Sequence, residues 1–473
     1  MKVKPSSFIE DNVPFVEDIL KELEKKYDYV SVLGTDVFGK QHVVTSRGTN
    51  YNDSQWTERG FVVRIYDGKG YTEFSFNEID NPEEVIRRIN NNIIDEDVLK
   101  KSNLERSTFD KINEEKMEES FFGEVKMLPE DITTEEKINR LEAMKQKAHE
   151  VSDKLVNFFA VYEEVTVNKL FFSNKKQLKQ SYIWSQGYLN AVVRKEQKTR
   201  VSYEGFSGLK GPELLDEMEA QLKGIVDEAV MLLDAERIKP GVYDVICSPE
   251  VSGLIAHEAF GHGVELDMFV KDRAKAKEYM GKTVASEQVT MHDGASAAKE
   301  VSSYFFDDEG VLGKDTIIIK DGKLVSGIGD LLSTIKLGVD PTGNGKRESF
   351  EKKAYSRMTN TFFEPGEDKL EDMITSIDNG YLLEKYTSGM EDPKNWGIQC
   401  LILYGREIKN GKLTGKTVSP IFMTGFVPDL LKSISMVSGD FRLSGTGACG
   451  KGHKEFAKVS AGGPYIKAKA RLG

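Results

Sequence analysis

Hydrophobic residues recur along the chain with two different periods, one typical of helices and one typical of strands. Steps of three and four residues predict helices over 14–27, from about 134 to 158 behind the capping residue Thr133, and from Pro212 to 232. A shorter helix is predicted near 83–90, inside a polar stretch over 77–131 that reads otherwise as an exposed connection. The helices therefore fall mainly in the first half of the chain.

Strand-like runs are interrupted by turn dipeptides. FVVRIYDGKGYTEFSF (61–76) places a glycine-containing turn between two β-prone runs, which predicts a hairpin. A longer β-prone region covers 160–207, and further hairpins are predicted at Asp321-Gly322 and Asn410-Gly411. The second half of the chain therefore reads as mainly antiparallel β structure.

These patterns predict an α+β fold of two domains, in keeping with a length of 473 residues. Residues 1–238 are expected to form an N-terminal α/β domain with a sheet and long helices. Residues 239–473 are expected to form a C-terminal, mainly antiparallel β domain, with the boundary at Pro240-Gly241.

The composition excludes some classes of binding partner and indicates a cellular compartment. A net charge of −12 argues against a nucleic-acid or anionic-membrane partner, and no stretch reaches the roughly 18 apolar residues of a membrane span. Three widely spaced cysteines are not a disulfide framework. We therefore expect a cytoplasmic protein.

The residues with the clearest chemistry follow the predicted strand 242–247. Ser248 is placed to cap a helix that starts at Pro249, and this helix would carry His257, Glu258 and His262. In a regular α-helix, residues five positions apart are about 140° apart around the axis, so two such imidazoles could not face one metal ion. We therefore predict an irregular, π-type turn between His257 and Gly263.

Imidazoles of this kind suit zinc, and an adjacent glutamate suits a general base, so the spacing is compatible with a metallopeptidase that activates water. Two histidines buried in the core without a metal would give the same sequence pattern. The third ligand is open between Cys449, Glu265 and Asp267, while Cys247 and Cys400 read as core thiols. Lys451 and His453 are expected to lower the pKa of Cys449.

The chain resembles the TldD/PmbA family of metalloproteases in several ordered segments. The strongest is HEAFGHGVELD (257–267), and the resemblance covers the chain most clearly from about residue 240 to the end. The other segments are FFDDEG (305–310), TGNGKR (342–347), RMTNTFFEPG (357–366) and GACGKG (447–452).

The resemblance implies that His257, His262 and Cys449 bind Zn²⁺, that Glu258 is the catalytic base, and that short or unfolded peptides are the substrates. It also implies a homodimer, or a heterodimer with a PmbA/TldE-like paralogue that lacks the histidine motif. A non-catalytic peptide-binding or regulatory subunit is the alternative, in keeping with the family's association with DNA gyrase. The segment SGMEDPKNWGIQ (388–399) departs from the glycine-rich family pattern, which bears on substrate preference.

Overall fold

Two large β-sheets organise the chain. The computed structural model describes residues 1–77, 81–93, 101, 106–451 and 454–473. Strands before residue 209 form one sheet, and most strands after residue 240 form the other. The fold is α+β, as the sequence predicts.

The first sheet has eight strands in the order β4-β3-β1-β6-β7-β5, with β2 paired to β1 and β8 paired to β7. Its pairs are antiparallel except for β5 with β7. The strands are β1 (Tyr29–Thr45), β2 (Gly48–Asp53), β3 (Glu58–Tyr66), β4 (Tyr71–Phe76), β5 (Met117–Phe122), β6 (Leu155–Ser173), β7 (Lys176–Lys195) and β8 (Lys198–Gly208).

Helices cover one face of this sheet. On β6, Phe158 and Leu170 pack under the helices, while Val165 and Val167 point to the other face and pack against residues 295–304 of the second half. This follows from the two-residue alternation of side chains along a strand. The helices are α1 (Ser7–Asp11), α2 (Val13–Leu23), α3 (Pro82–Asn92), α4 (Thr134–Val151), α5 (Leu214–Ala220) and α6 (Leu222–Leu232).

The second sheet has eleven strands, and nine of its eleven strand pairs are antiparallel. Its strands are β9 (Gly241–Cys247), β10 (Met291–Asp293), β11 (Thr316–Lys320), β12 (Lys323–Leu324), β15 (Asn360–Phe363), β16 (Asn379–Asp392), β17 (Gly397–Lys409), β18 (Lys412–Val418), β19 (Ile421–Phe426), β20 (Met436–Ser444) and β23 (Ser460–Leu472). Because β9 pairs with both β16 and β23, the strands β9, β16, β17, β19 and β23 close into a circuit.

Shorter elements complete the second half. Two separate hairpins are β13 (Gly345–Lys346) with β14 (Tyr355–Ser356), and β21 (Ala448–Lys451) with β22 (Lys454–Lys458). The helices are α7 (Pro249–Ile255), α8 (Leu266–Val270), α9 (Leu331–Leu337), α10 (Leu370–Thr375) and α11 (Val427–Lys432), with a π-helix at Ala256–Gly261 and 3-10 turns at Pro129–Asp131, His262–Val264 and Lys275–Tyr279.

Most predicted elements are confirmed. The hairpins at 61–76, Asp321-Gly322 and Asn410-Gly411 are present, and Thr133 caps α4 through its side chain. The helix predicted near 83–90 is α3. Among the residues described, no helix has the length and apolar character of a membrane span.

Three predictions need correction. The helix expected from about 134 to 158 ends at Val151, because Ser152 adopts an extended backbone (φ −153°, ψ 136°), and Leu155 and Phe158 belong to β6. The single helix expected from Pro212 to 232 is two helices, because Gln221 N–H bonds to the carbonyl of Met218 and tightens the chain there. The apolar spacing continues across this break, so the pattern does not reveal it. The connection over 77–131 contains β5, whose charged, exposed residues give no strand signal, and parts of that connection lie outside the described residues. The division at 238/239 stays a prediction.

Candidate metal centre

The helix that carries the two motif histidines starts where the sequence predicts. β9 ends at Cys247, and the Ser248 side chain accepts a hydrogen bond from Val251 N–H at 3.5 Å. Pro249 occupies the first turn, where its missing N–H has no cost. β9 lies between β16 and β23, so the helix leaves the sheet at the end of a buried strand.

The predicted irregularity is confirmed as a π-helix at Ala256–Gly261, followed by the 3-10 turn at His262–Val264. The wider turn brings residues five positions apart onto one side of the helix. Gly261 itself has ordinary helical angles (φ −60°, ψ −54°), so it does not act through backbone freedom. A Cβ there would lie 2.0 Å from Sδ of Met358, which shows that its role is to let this side chain approach.

Three side chains distant in sequence converge beside this helix. His257, His262 and Cys449 offer ligand atoms that all lie within 4.8 Å of one another, and Cys449 Sγ lies 3.3 Å from Nε2 of His262. The two imidazole rings are 5.2 Å apart between centroids and nearly perpendicular. Ligands of one tetrahedral zinc ion are about 3.5 Å apart, so this set of one sulfur and two nitrogens fits zinc after a small contraction.

Cys449 lies on β21, in the hairpin with β22, and its environment favours the thiolate. Burial by itself would raise its pKa, but the neighbouring His257 and His262 lower the pKa to about 5. A thiolate is the form of cysteine that binds metals. The two motif histidines, rather than Lys451, account for this shift, and His453 lies outside the described residues.

Glu265 and Asp267, the competing ligand candidates, both form ion pairs with Lys451. Lys451 Nζ lies 3.1 Å from Glu265 and 2.6 Å from Asp267. The burial of Glu265 opposes its charge, but Lys451 and His262 hold the pKa of its carboxyl well below the usual range. Glu265 also lies 3.5 Å from Nδ1 of His262. It is therefore positioned to orient that imidazole, as carboxylates do around metal-binding histidines.

Glu258 lines the same cavity, which has a volume of about 490 Å³ and is bounded by the motif helix, the β16–β17 hairpin and β21. Gly389 of β16 faces this side chain. A Cβ at that position would lie 2.6 Å from Cγ of Glu258, so the absence of a side chain there gives Glu258 its space.

The other two cysteines behave differently. Cys247 and Cys400 are fully buried, and burial raises the pKa of Cys247 to about 12 and that of Cys400 further still. Neither belongs to the three-residue group. The structure thus places them in the core, as the sequence suggests.

For two residues of this region the sequence predicts no role, although both lie in segments that the family resemblance covers. Arg357 is buried and donates a hydrogen bond to the backbone carbonyl of Cys449, which ties β21 to the second sheet's core. Glu391 lines the cavity from the β16–β17 turn, and no residue that the structure describes forms a hydrogen bond with either of its buried carboxylate oxygens. Burial raises the pKa of Glu391 well above its ordinary value. Only the departure of 388–399 from the glycine-rich pattern points to this turn.

Comparison with protein families matches residues 240–470 to the PmbA/TldA metallopeptidase C-terminal domain. A metalloprotease of Methanothermobacter thermautotrophicus is 30% identical over 282 residues, which cover 59% of this chain and 61% of that protein. The match thus spans about three fifths of that relative's length. A zinc metalloprotease TldD homologue of Saccharolobus solfataricus is 28% identical, with 71% and 75% of the two chains covered.

Solved structures share the fold over nearly the whole chain. A Thermotoga maritima protein, described as a proposed modulator of a DNA gyrase, has a TM-score of 0.77 at 19% identity and covers 97% of this chain and 99% of its own. TldE from Thermococcus kodakarensis has a TM-score of 0.74 at 18% identity, with the same coverage. At these identities the likeness concerns the fold alone.

Proposed function

Because the chain belongs to the TldD/PmbA family, we propose that it is a zinc-dependent metallopeptidase that hydrolyses short or unfolded peptides. The observation that carries this proposal is the convergence of His257, His262 and Cys449 next to a cavity that also contains Glu258. A catalytic zinc site needs three protein ligands and an open position, and these residues supply that combination.

His257, His262 and Cys449 would hold the ion, with Glu265 keeping the His262 ring in place. Zinc bound there would supply a Lewis acid that polarises the peptide carbonyl and acidifies a water molecule. Zinc prefers sulfur and nitrogen donors, and this set offers one sulfur and two nitrogens. When they bind, the cysteine is a thiolate and the imidazoles are neutral.

Glu258 has the position of a general base. It follows a ligand histidine directly, and its side chain lies in the cavity opposite Gly389. Its carboxylate would take a proton from the attacking water and pass it to the amine that leaves when the peptide bond breaks. The same carboxylate then returns to its starting state, so no further acid is required.

The shape of the cavity supports a short peptide as substrate. Its volume of about 490 Å³ is in the range of small-ligand sites. The β16–β17 turn, with Met390 70% exposed, forms one side of it. An extended peptide can enter such a space, whereas a folded domain cannot place its backbone beside Glu258.

The second candidate is a non-catalytic subunit that binds peptides or regulates a partner, in line with the description of the Thermotoga protein. Glu258 weighs against it, because a structural metal site needs no general base and closes its fourth position with a protein ligand. Direct action on DNA also fits poorly with a net charge of −12.

For partners, we propose a homodimer or a heterodimer with a PmbA/TldE-like paralogue that lacks the histidine motif. TldE is the name of one structural neighbour. All three ligand candidates belong to this chain, so a partner would shape access to the cavity rather than complete the ligand set. Three free cysteines suit the reducing cytoplasm.

Replacing Glu258 by glutamine tests the function. The variant should keep its zinc and its fold but lose at least about 100-fold of peptide hydrolysis, because amide groups do not accept the water proton. Metal content by mass spectrometry and product formation by chromatography give the two readouts. Equal activity in wild type and variant would contradict the proposed role of Glu258.

A further inference from the structure

Glu391 is an acidic side chain at the edge of the cavity. It lies at the end of β16, next to the β16–β17 turn, and both carboxylate oxygens are buried and have no hydrogen-bond partner among the described residues. A buried carboxylate in that state costs free energy unless a cation or donor reaches it. The fold therefore holds an acceptor in place that no described neighbour satisfies by a hydrogen bond.

A second unsatisfied group lies close by. The indole nitrogen of Trp396 is buried and finds no hydrogen-bond partner within the described part of the chain. A Cβ built on Gly263 would lie 3.0 Å from Oε1 of Glu391 and 3.8 Å from Nε1 of Trp396. These two groups thus share one space next to Gly263, the residue that follows the ligand candidate His262.

Glu265 and Asp267, the two acidic neighbours of the cavity, form ion pairs. Glu265 is held by Lys451 and lies near His262, and Lys451 is itself shared with Asp267. Glu258 is assigned to proton transfer. Glu391 differs from Glu265 and Asp267 because no lysine or arginine among the described residues forms an ion pair with it.

We propose that Glu391 is a specificity-determining residue that binds a positively charged group of the peptide substrate close to the bond that is cut. This inference rests on the proposed peptidase function and adds the substrate class to it. The cation is an ammonium or guanidinium, and it comes either from the free amino terminus or from a Lys or Arg side chain. Pairing with such a group supplies the partner that the buried carboxylate lacks.

The surroundings of Glu391 fit a role in the choice between peptide substrates. Met390, exposed next to it, offers an apolar surface for the aliphatic part of a long basic side chain. Gly389, two residues before Glu391 on the same strand, faces Glu258. The same strand end therefore positions both the proton acceptor and the cation acceptor.

The test uses an alanine peptide with a central lysine and an analogue in which norleucine replaces that lysine. Each of the two is prepared with a free and with an acetylated amino terminus, which gives four peptides. Wild type should lose about 30-fold in kcat/KM when the recognised charge is removed. Acetylation identifies the amino terminus as the source, and norleucine identifies the side chain. Glu391→Gln should cleave all four peptides within about threefold of one another.

Matched variants separate recognition from structure. Asp392→Asn makes the same change of charge one residue along, at an exposed side chain, and should keep the wild-type preference. Glu391→Asp, which keeps the carboxylate, should retain part of the wild-type preference for the charged peptide. A charge preference retained in Glu391→Gln, or equal cleavage of all four peptides by wild type, would overturn the inference.

Binding to the Glu258→Gln variant distinguishes failure of this inference from failure of the proposed function. Calorimetry should show tighter binding of the charged peptide than of the acetylated norleucine analogue, and the difference should vanish in Glu258→Gln/Glu391→Gln. Preferential binding without any cleavage by wild type would refute the peptidase function and leave the cation site standing. Equal binding of both peptides would refute the cation site.

Discussion

The three cysteines show how strongly the surroundings determine the chemistry of one residue type. Cys247 and Cys400 are surrounded by apolar groups, so burial raises the pKa of each thiol, whereas two imidazoles lower the pKa of Cys449 to about 5. Only Cys449 is thus available as a thiolate ligand near neutral pH.

At this scale the sequence predicted the two histidines and the base from their spacing, but the third ligand stayed open until the family resemblance indicated Cys449. The reason is physical, because Cys449 is separated from His262 by 186 intervening residues, and spacing says nothing about contacts across such a distance. Glu391 was missed altogether, since a lone glutamate in a turn is normally solvated.

Gly389 provides a prediction at the residue scale. In Gly389→Ala the added methyl group would contact Cγ of Glu258, so the carboxylate must move, and hydrolysis should fall by about 10- to 100-fold while zinc content stays unchanged. Gly397→Ala, in the same hairpin and with no atom within 4 Å of the new methyl group, is the control. Equal activity of both variants would show that the contact with Glu258 does not matter.

At the scale of elements, local signals predicted where the motif helix starts and why it must be irregular. Ser248 and Pro249 mark its first turn, and the five-residue spacing of the histidines requires the π-helix. The break at Gln221 and the strand β5 were not predicted, because tertiary packing determines both and neither disturbs the apolar spacing or composition.

The π-helix depends on close packing between Gly261 and Met358. Gly261→Ala should lower the free energy of unfolding by about 1–3 kcal/mol, because the methyl group overlaps a buried sulfur. In the Met358→Ala background the same change should become neutral or stabilising, since alanine favours helices over glycine. Urea unfolding of the four proteins measures this coupling, and additive effects would contradict it.

At the scale of the whole molecule, buried charges connect the first sheet to segments of the second half of the chain. Arg64 of β3 lies 2.6 Å from Glu309, and Glu73 of β4 pairs with both Arg64 and Arg347. Glu309 and Arg347 belong to the segments FFDDEG and TGNGKR. The sequence marked these segments as a family resemblance, but their contact with the first sheet joins residues more than 200 positions apart and could not be read from local patterns.

These ion pairs predict a dependence of stability on pH. Burial opposes the charge of Glu73, but Arg64 and Arg347 lower its pKa to about 2. A carboxyl whose folded pKa is lowered stabilises the protein above its unfolded pKa, near 4.5, and this contribution is lost as the pH falls toward 2. Glu73→Gln should therefore cost about 3 kcal/mol at pH 6 and clearly less at pH 3.

Urea unfolding at the two pH values measures this difference. Glu118→Gln, which changes an exposed glutamate of β5 in the same sheet, is the control and should cost less than about 0.5 kcal/mol at either pH. A cost for Glu73→Gln that stays the same from pH 6 to pH 3 would contradict the assignment of this carboxylate to the buried network.

The central claim is that His257, His262 and Cys449 bind one zinc ion, and zinc-edge X-ray absorption of the purified protein tests it most directly. The account predicts about one zinc per chain, with one sulfur at about 2.3 Å and two imidazole nitrogens at about 2.0–2.1 Å. In Cys449→Ser the sulfur contribution should disappear. A zinc spectrum without sulfur, or zinc-free protein after preparation without chelators, would contradict the account.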